Sequence, residues 1–203
     1  MRRGITFPGI LLSAFIIFWA VAATQPLDRF VWFLENIVVF ISLPLVVLSY
    51  FKFRLSNTSY ALIFVFAVLH VAASHYAYGN TPWGEWVSAQ FGWERNHYDR
   101  IVHFLFGALI LPVAGELFKN QLPKRRFAAG VFLFSFIFAL GSLYEVAEFA
   151  AGVIVDPEAG LGFLGFQGDI WDTQKDMALQ ALGATMGLRF WRLRLRGPSA
   201  SVK

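Results

Sequence analysis

Residues 168–196 read GDIWDTQKDMALQALGATMGLRFWRLRLR, and the reading of this stretch decides the fold. It has the length of a bilayer-crossing helix, yet it opens with carboxylates where lipid would forbid them. At about 100° per residue, Asp169, Asp172, Asp176, Gln180, Gly183 and Gly187 fall on one helical face. An ionised side chain in hydrocarbon costs at least about 2.5–3.5 kcal/mol. The stripe must therefore look into protein or a watery cavity, and the rest of the chain must supply its partners.

The composition agrees with a membrane setting. Of 203 residues, 57% are hydrophobic and only 15% charged, too apolar for a water-soluble domain of this length. Apolar runs recur at about the 20 residues that a spanning helix needs. The expected fold is all-α: a polytopic membrane helix bundle with six transmembrane helices, at roughly residues 5–23, 30–50, 59–78, 99–118, 127–151 and 169–191, in one domain covering 1–203. The start, Met1-Arg2-Arg3 before an apolar run, imitates a secretory signal. That run exceeds the usual signal core of about 7–15 residues, so it reads as an uncleaved anchor.

The net charge of +4 does not indicate nucleic acid, because the basic residues sit in short runs beside apolar segments, as topology signals do. Arg2 and Arg3, Lys52 and Arg54, Lys119 to Arg126 and the C-terminal arginines all fall on one side of an alternating chain. The positive-inside rule makes that side, and both termini, cytoplasmic. The acids sort to the other side, with Glu116 the exception. Acidic residues contribute little to topology, so an outward-facing polar site is a sufficient cause. The absence of cysteine excludes disulfides, thiolate metal sites and cysteine catalysis.

Two connectors on the outer side stand out. Residues 79–98 carry Trp83, Trp86, Phe91 and Trp93, the mark of an amphipathic segment lying among headgroups. Residues 155–168 interleave Gly160, Gly162, Gly165 and Gly168 with large apolar side chains. This connector suits a mobile lid, a re-entrant segment or a lipid-packed turn.

The candidate chemistry gathers on three spans. Asp99 and His103 are four apart, hence neighbours on one face; Asp99 also suits a helix cap, but His103 lies a turn deeper. Glu145 and Glu148 share a face on the next span, and two acids so close repel unless a cation, a proton or a basic side chain lies between them. On the last span Asp169 and Asp172 suit the helix start, whereas Asp176 lies beyond the dipole's reach. Asp99, His103, Glu145 and Asp176 are the candidate catalytic residues, and His103, Glu145, Glu148, Asp172 and Asp176 the candidate metal ligands. Arg95 or Arg100 suits an anion, and Lys175, off the stripe, suits snorkelling. His70 and His75, about 140° apart on one helix, are further polar candidates, as are Glu35 and Asn36.

The runs Tyr98-Asp99-Arg100-Ile101-Val102-His103-Phe104, Tyr144-Glu145-Val146-Ala147-Glu148-Phe149 and Gly168-Asp169-Ile170-Trp171-Asp172-Thr173-Gln174-Lys175-Asp176-Met177 together resemble the YjdF-like family of uncharacterised bacterial inner-membrane proteins. The resemblance covers nearly the whole chain and implies an inner-membrane location without implying an activity. More distantly, the order of acids and histidine is similar to VanZ-like proteins, associated with glycopeptide resistance, although Gln180 stands where that pattern has asparagine.

Three function classes follow from the residues. The first is an enzyme site facing outward and holding a divalent metal ion: carboxylates favour Mg²⁺ or Mn²⁺, and added imidazole moves the preference toward Zn²⁺. Its substrate would be a lipid or lipid-linked phosphate. The second is a proton- or cation-coupled transporter using the same acids as a relay. The third is a non-catalytic binding or structural protein whose polar groups pair across helices. The sequence leaves the oligomeric state open.

Overall fold

The structure is a computed structural model and describes residues 6–154 and 167–194. Among these residues the ordered elements are helical throughout: α1 (Phe7–Ala22), α2 (Arg29–Lys52), α3 (Asn57–His75), α4 (Pro82–Phe91), α5 (Tyr98–Leu117), α6 (Arg126–Ile154) and α7 (Asp172–Arg194). Local chemistry sets the ends. The Asp28 carboxylate accepts from the amides of Phe30 and Val31 at 2.8 and 2.9 Å to start α2, and the Ser56 hydroxyl caps α3, as short polar side chains do at helix N-termini. Pro82 opens α4, and Gly92, at φ 66°, closes it in a left-handed turn. In α5 one turn, Phe106–Ile110, widens to π geometry just before Pro112. Proline removes a backbone donor and crowds the carbonyl four residues back.

Four helices, α2, α3, α5 and α6, are long and apolar enough to cross a membrane. The other two expected spans differ from that pattern for identifiable reasons. Helix α1 has 16 residues, about 24 Å at 1.5 Å per residue, short of a hydrocarbon core of about 30 Å. Helix α7 has 23 residues, but Asp172, Lys175, Asp176 and its closing arginines make it too polar to qualify. Residues 1–5, 155–166 and 195–203 lie outside the described residues, and with them most of the glycine-rich connector read as lid, re-entrant segment or turn.

The bundle has two packed halves joined by α3. Phe15, Val39 and Val71 bind α1, α2 and α3 together, while Leu111, Leu133, Ile137, Ala184 and Trp191 do the same for α5, α6 and α7. The closest approach is between α5 and α7. A methyl group on Gly183 would strike the Phe104 carbonyl, so the two backbones touch there, the kind of contact that drives helix association in lipid. The outward face is rich in exposed Leu, Ile, Val and Phe, whereas Glu35, Asn36, Ser74, Asp176 and Gln180 are fully buried. A chain that exposes its apolar side chains and buries its charges is built for lipid.

Candidate functional site

Helix α5 begins beside the first turn of α7, and α6 closes the third side, so carboxylates from three helices meet. Oxygens of Asp99, Asp172 and Asp176 lie within 4.8 Å of one another. His103 Nε2 stands 3.4 Å from Asp99 Oδ1 and 3.3 Å from Glu145 Oε1. Both gaps are longer than an ordinary N–H···O hydrogen bond of about 2.7–3.2 Å. They are close to the separation of about 3.3 Å between ligand atoms that bonds of about 2.0–2.1 Å to a tetrahedral ion produce.

Satisfaction is uneven across the cluster. Asp172 is matched by Arg95 Nη2 at 2.5 Å and Arg100 Nη2 at 3.4 Å. Asp169 is matched by Arg100 Nη2 at 2.5 Å and Lys175 Nζ at 2.6 Å. Asp176, 2% exposed, leaves Oδ1 with no hydrogen bond, and Glu145 Oε1 also makes none. Burying a charged oxygen without a partner is expensive. Glu145 Oε1 has the His103 imidazole beside it, so Asp176 Oδ1 is the oxygen that points to a missing positive species, and the donor set of carboxylates with one imidazole suits a divalent cation. Glu148, half-buried, interacts electrostatically with Glu145, Asp99 and Asp176.

One turn deeper the arrangement is tighter. Gln180 Nε2 donates to the Ile137 carbonyl at 2.7 Å, a reach possible because Gly141 has no side chain to collide with the amide. Beside the cluster, and sharing Glu145 and Asp172 with it, a cleft of about 340 Å³ lies between α6 and the start of α7, lined also by Val146, Phe149, Ile170, Thr173 and Met177 among others.

Several sequence expectations are corrected. Asp169 is not on the helical stripe; it precedes α7, where its Oδ1 accepts from the Trp171 amide at 3.1 Å. Lys175 and Arg100 hold its carboxyl well below the usual carboxylate range. Lys175 thus turns back onto Asp169 instead of snorkelling, and Arg95 and Arg100 face aspartates instead of offering themselves to an anion. Asp99 does not cap α5: the side-chain Oδ1 of Asn96 accepts from the Tyr98 amide at 3.0 Å instead. Just outside α5, burial and then Arg100 lower His97 below its ordinary range, so its Nδ1 accepts from Arg100 Nη1 at 3.0 Å.

The other histidines do not join the cluster. His70 Nδ1 bonds the Tyr78 hydroxyl at 2.5 Å and its Nε2 the Glu35 carbonyl at 3.0 Å. His75 Nδ1 bonds the Ala22 carbonyl at 2.8 Å. Each serves helix contact, as intramembrane polar residues commonly do. Asn36 likewise bonds Ser74, at 3.1 Å.

Two participants escaped the sequence reading. The Tyr144 hydroxyl donates to the Glu35 carboxylate, and the Tyr144 ring lies 6.2 Å from His103, between that residue and the α2–α3 half. A tyrosine beside Glu145 in an apolar helix was the available signal, since a buried hydroxyl needs a partner. Gln167 was the other: its side chain accepts from the Asn96 amide at 2.9 Å and donates to the Asn96 carbonyl at 3.1 Å, tying the approach to α7 to that of α5.

Comparison with known proteins bears on identity. Residues 7–197 match the family described as "Predicted membrane protein (DUF2238)". The inner membrane protein YjdF of Escherichia coli (strain K12) is 31% identical over 176 residues, covering 86% of this chain and 82% of that protein. Neither match supports the more distant likeness to VanZ-like proteins. No solved structure is significantly similar. Apolar spans, a polar interior and both matches agree: the chain is a multi-pass inner-membrane protein and belongs to the DUF2238 membrane protein family.

Proposed function

We propose that Asp99, His103, Glu145, Asp172 and Asp176 hold a divalent metal ion, Zn²⁺, Mg²⁺ or Mn²⁺, in a hydrolase or transferase that acts on a lipid or lipid-linked phosphate. The observation that carries this reading is the buried, unpartnered Asp176 Oδ1 beside Asp99, Asp172 and the shared His103 Nε2. A bound divalent cation supplies Lewis acidity at the phosphoryl oxygens. The chain's own residues do the rest: Arg95 offsets the charge of Asp172, Arg100 and Lys175 offset that of Asp169, and Asp99, Glu145 and Asp176 keep charge for the ion. Glu148, behind Glu145, adds to the negative field that draws it in.

The same reading takes the chain as one domain with six spans, adding α1 and α7 to the four apolar helices, and with both termini cytoplasmic. It is supported by the packing of α1 on α3 and of α7 along α5 and α6, and by the basic residues gathered at one set of helix ends. The cluster then opens on the periplasmic side.

Metal titration of the detergent-purified protein tests the site. Submillimolar binding of Mn²⁺ or Zn²⁺ is expected, weakened by more than about 100-fold when Asp176→Asn and His103→Ala are combined, since ligand loss exceeds the 10–100-fold cost of losing outer partners. Phosphate release from a lipid phosphate should then require the ion. A metal-free protein that carries pH-dependent ion flux in liposomes would overturn the reading in favour of transport. A folded protein with neither property would leave a binding or structural role.

A further inference from the structure

The cleft between α6 and α7 has two chemically different halves. The buried Glu145 and Asp172 make its floor, Ser142, Thr173 and Gln174 add polar lining, and Val146, Phe149, Ile170 and Met177 line it with apolar walls. Val146, Phe149 and Ile170 are 60%, 64% and 70% exposed, on a bundle whose outward surface is apolar. The mouth therefore faces sideways into hydrocarbon. Glu145 links the halves: it is 5% exposed, lies on the cleft floor, and its Oε1 makes no hydrogen bond while facing His103 Nε2 at 3.3 Å.

The geometry points to lateral entry, from the bilayer, of an amphiphile with a single hydrocarbon chain, whose phosphate end meets Glu145 and Asp172 through the divalent cation. This inference rests on the metal-site reading and names how its substrate arrives and what shape it has. The volume of about 340 Å³ lies at the low end of ligand pockets, about 300–1,000 Å³, enough for one chain segment and a small headgroup. The apolar wall adds little affinity, because a chain leaving lipid for a protein groove exchanges one hydrocarbon environment for another. Its value is that the chain never has to be drawn into water, at about 0.8 kcal/mol per methylene.

Electrostatics makes the inference specific. Arg95 and Arg100 match Asp172, but among the described residues Glu145 has no arginine or lysine against it and repels a phosphate when no cation is present. An anionic amphiphile should bind only with the metal, whereas a cationic one would bind best without it. The walls and the metal ligands are different residues, so they can be altered separately.

The experiment uses the full chain in nanodiscs, with dodecyl phosphate as probe and Mn²⁺ as the ion, read by paramagnetic broadening of the ³¹P signal. Broadening that exceeds the effect on inorganic phosphate, and that falls about tenfold in Val146→Trp while Mn²⁺ affinity stays within about twofold, is the expected result. Met177→Trp fills the cleft from the opposite wall and should do the same, which separates blockage from misfolding of one variant. Unchanged dodecyl phosphate binding in both variants overturns the cleft and leaves the metal site standing. Tighter binding of dodecylammonium without Mn²⁺ than of dodecyl phosphate with it overturns the phosphate assignment. Absence of Mn²⁺ binding by the unaltered protein overturns the metal reading itself, and this inference with it.

Discussion

The two ends of α5 each carry a carboxylate withdrawn from water, and they are treated in opposite ways. At one end Glu116 accepts from the Ser56 amide at 2.6 Å, the Ser56 hydroxyl at 2.7 Å and the Ser59 hydroxyl at 2.5 Å. It caps a neighbouring helix from a distance. At the other end Asp99 shares its space with Asp172, Asp176 and Glu145, and two buried oxygens in that group make no hydrogen bond. Glu116, which serves the fold, is supplied with donors from the chain, while Asp176 and Glu145 at the other end are left short of them. Proteins commonly accept a cost in stability at such places.

The sharpest way to test this contrast is to remove the satisfied carboxylate. Glu116→Ala strands the Ser56 and Ser59 donors, and hydrogen bonds to a charged group are worth about 1.5–3 kcal/mol. A loss of roughly 3 kcal/mol in unfolding of the detergent-solubilised protein is expected, with metal affinity unchanged. Equal loss of metal binding would break the distinction between the ends.

The unsatisfied end should respond with the opposite sign. Asp176→Asn removes one charge from a crowded group, so in chelator it should stabilise the protein by about 1 kcal/mol, one unit of pKa being worth about 1.4. In saturating Mn²⁺ the order should reverse, because the unaltered protein alone gains fully from the ion. Thermal melts with and without metal decide it; a destabilised variant in chelator would show that Asp176 is structural.

Between the ends, Gly141→Ala pushes a methyl group into the Gln180 amide. Overpacking of this kind costs about 1–3 kcal/mol, and it should also shift Asp176, one turn away on α7, enough to weaken metal binding by a smaller factor than loss of a ligand. A variant with normal stability and normal affinity would uncouple Gln180 from the cluster.

The smallest expected effect lies at the rim. Asp169 has its carboxyl held below the usual range by Lys175 and Arg100, so its contribution to stability is complete above the unfolded value of about 3.9. It is lost only as pH falls through the lower folded value. The gap in melting temperature between the unaltered protein and Asp169→Asn should be flat from neutral pH to about pH 4 and narrow below it. A gap that opens instead on acidification would show that these ion pairs do not form.

The halves of the bundle were unequally legible. Bilayer-length apolar runs announced α2, α3, α5 and α6, because hydropathy is a property of each segment alone. The convergence of His103, Glu145 and Asp176 was also legible, since each was too deep in its helix for a cap, and Asp99 came with them as the neighbour of His103 four residues back. The partners of Asp169, His70 and His75 were not, for a helical wheel gives a direction without saying what lies along it. Nor did the wheel show that the stripe on α7 begins only at Asp172, because a carboxylate that bonds the amide two residues on resembles the first residue of a helix in sequence.

The sequence by itself determined that this chain lives in a membrane and that its acids could not face lipid, because the cost of burying charge depends on residue type alone. Which acids are matched and which are left wanting was decided by tertiary structure. That outcome depends on Gly183 letting α7 reach the backbone of α5, and on Arg95 and Arg100 arriving at Asp172 and Asp169 while no donor reaches Asp176 Oδ1. Pairing is a property of positions in space, and chain order does not contain it.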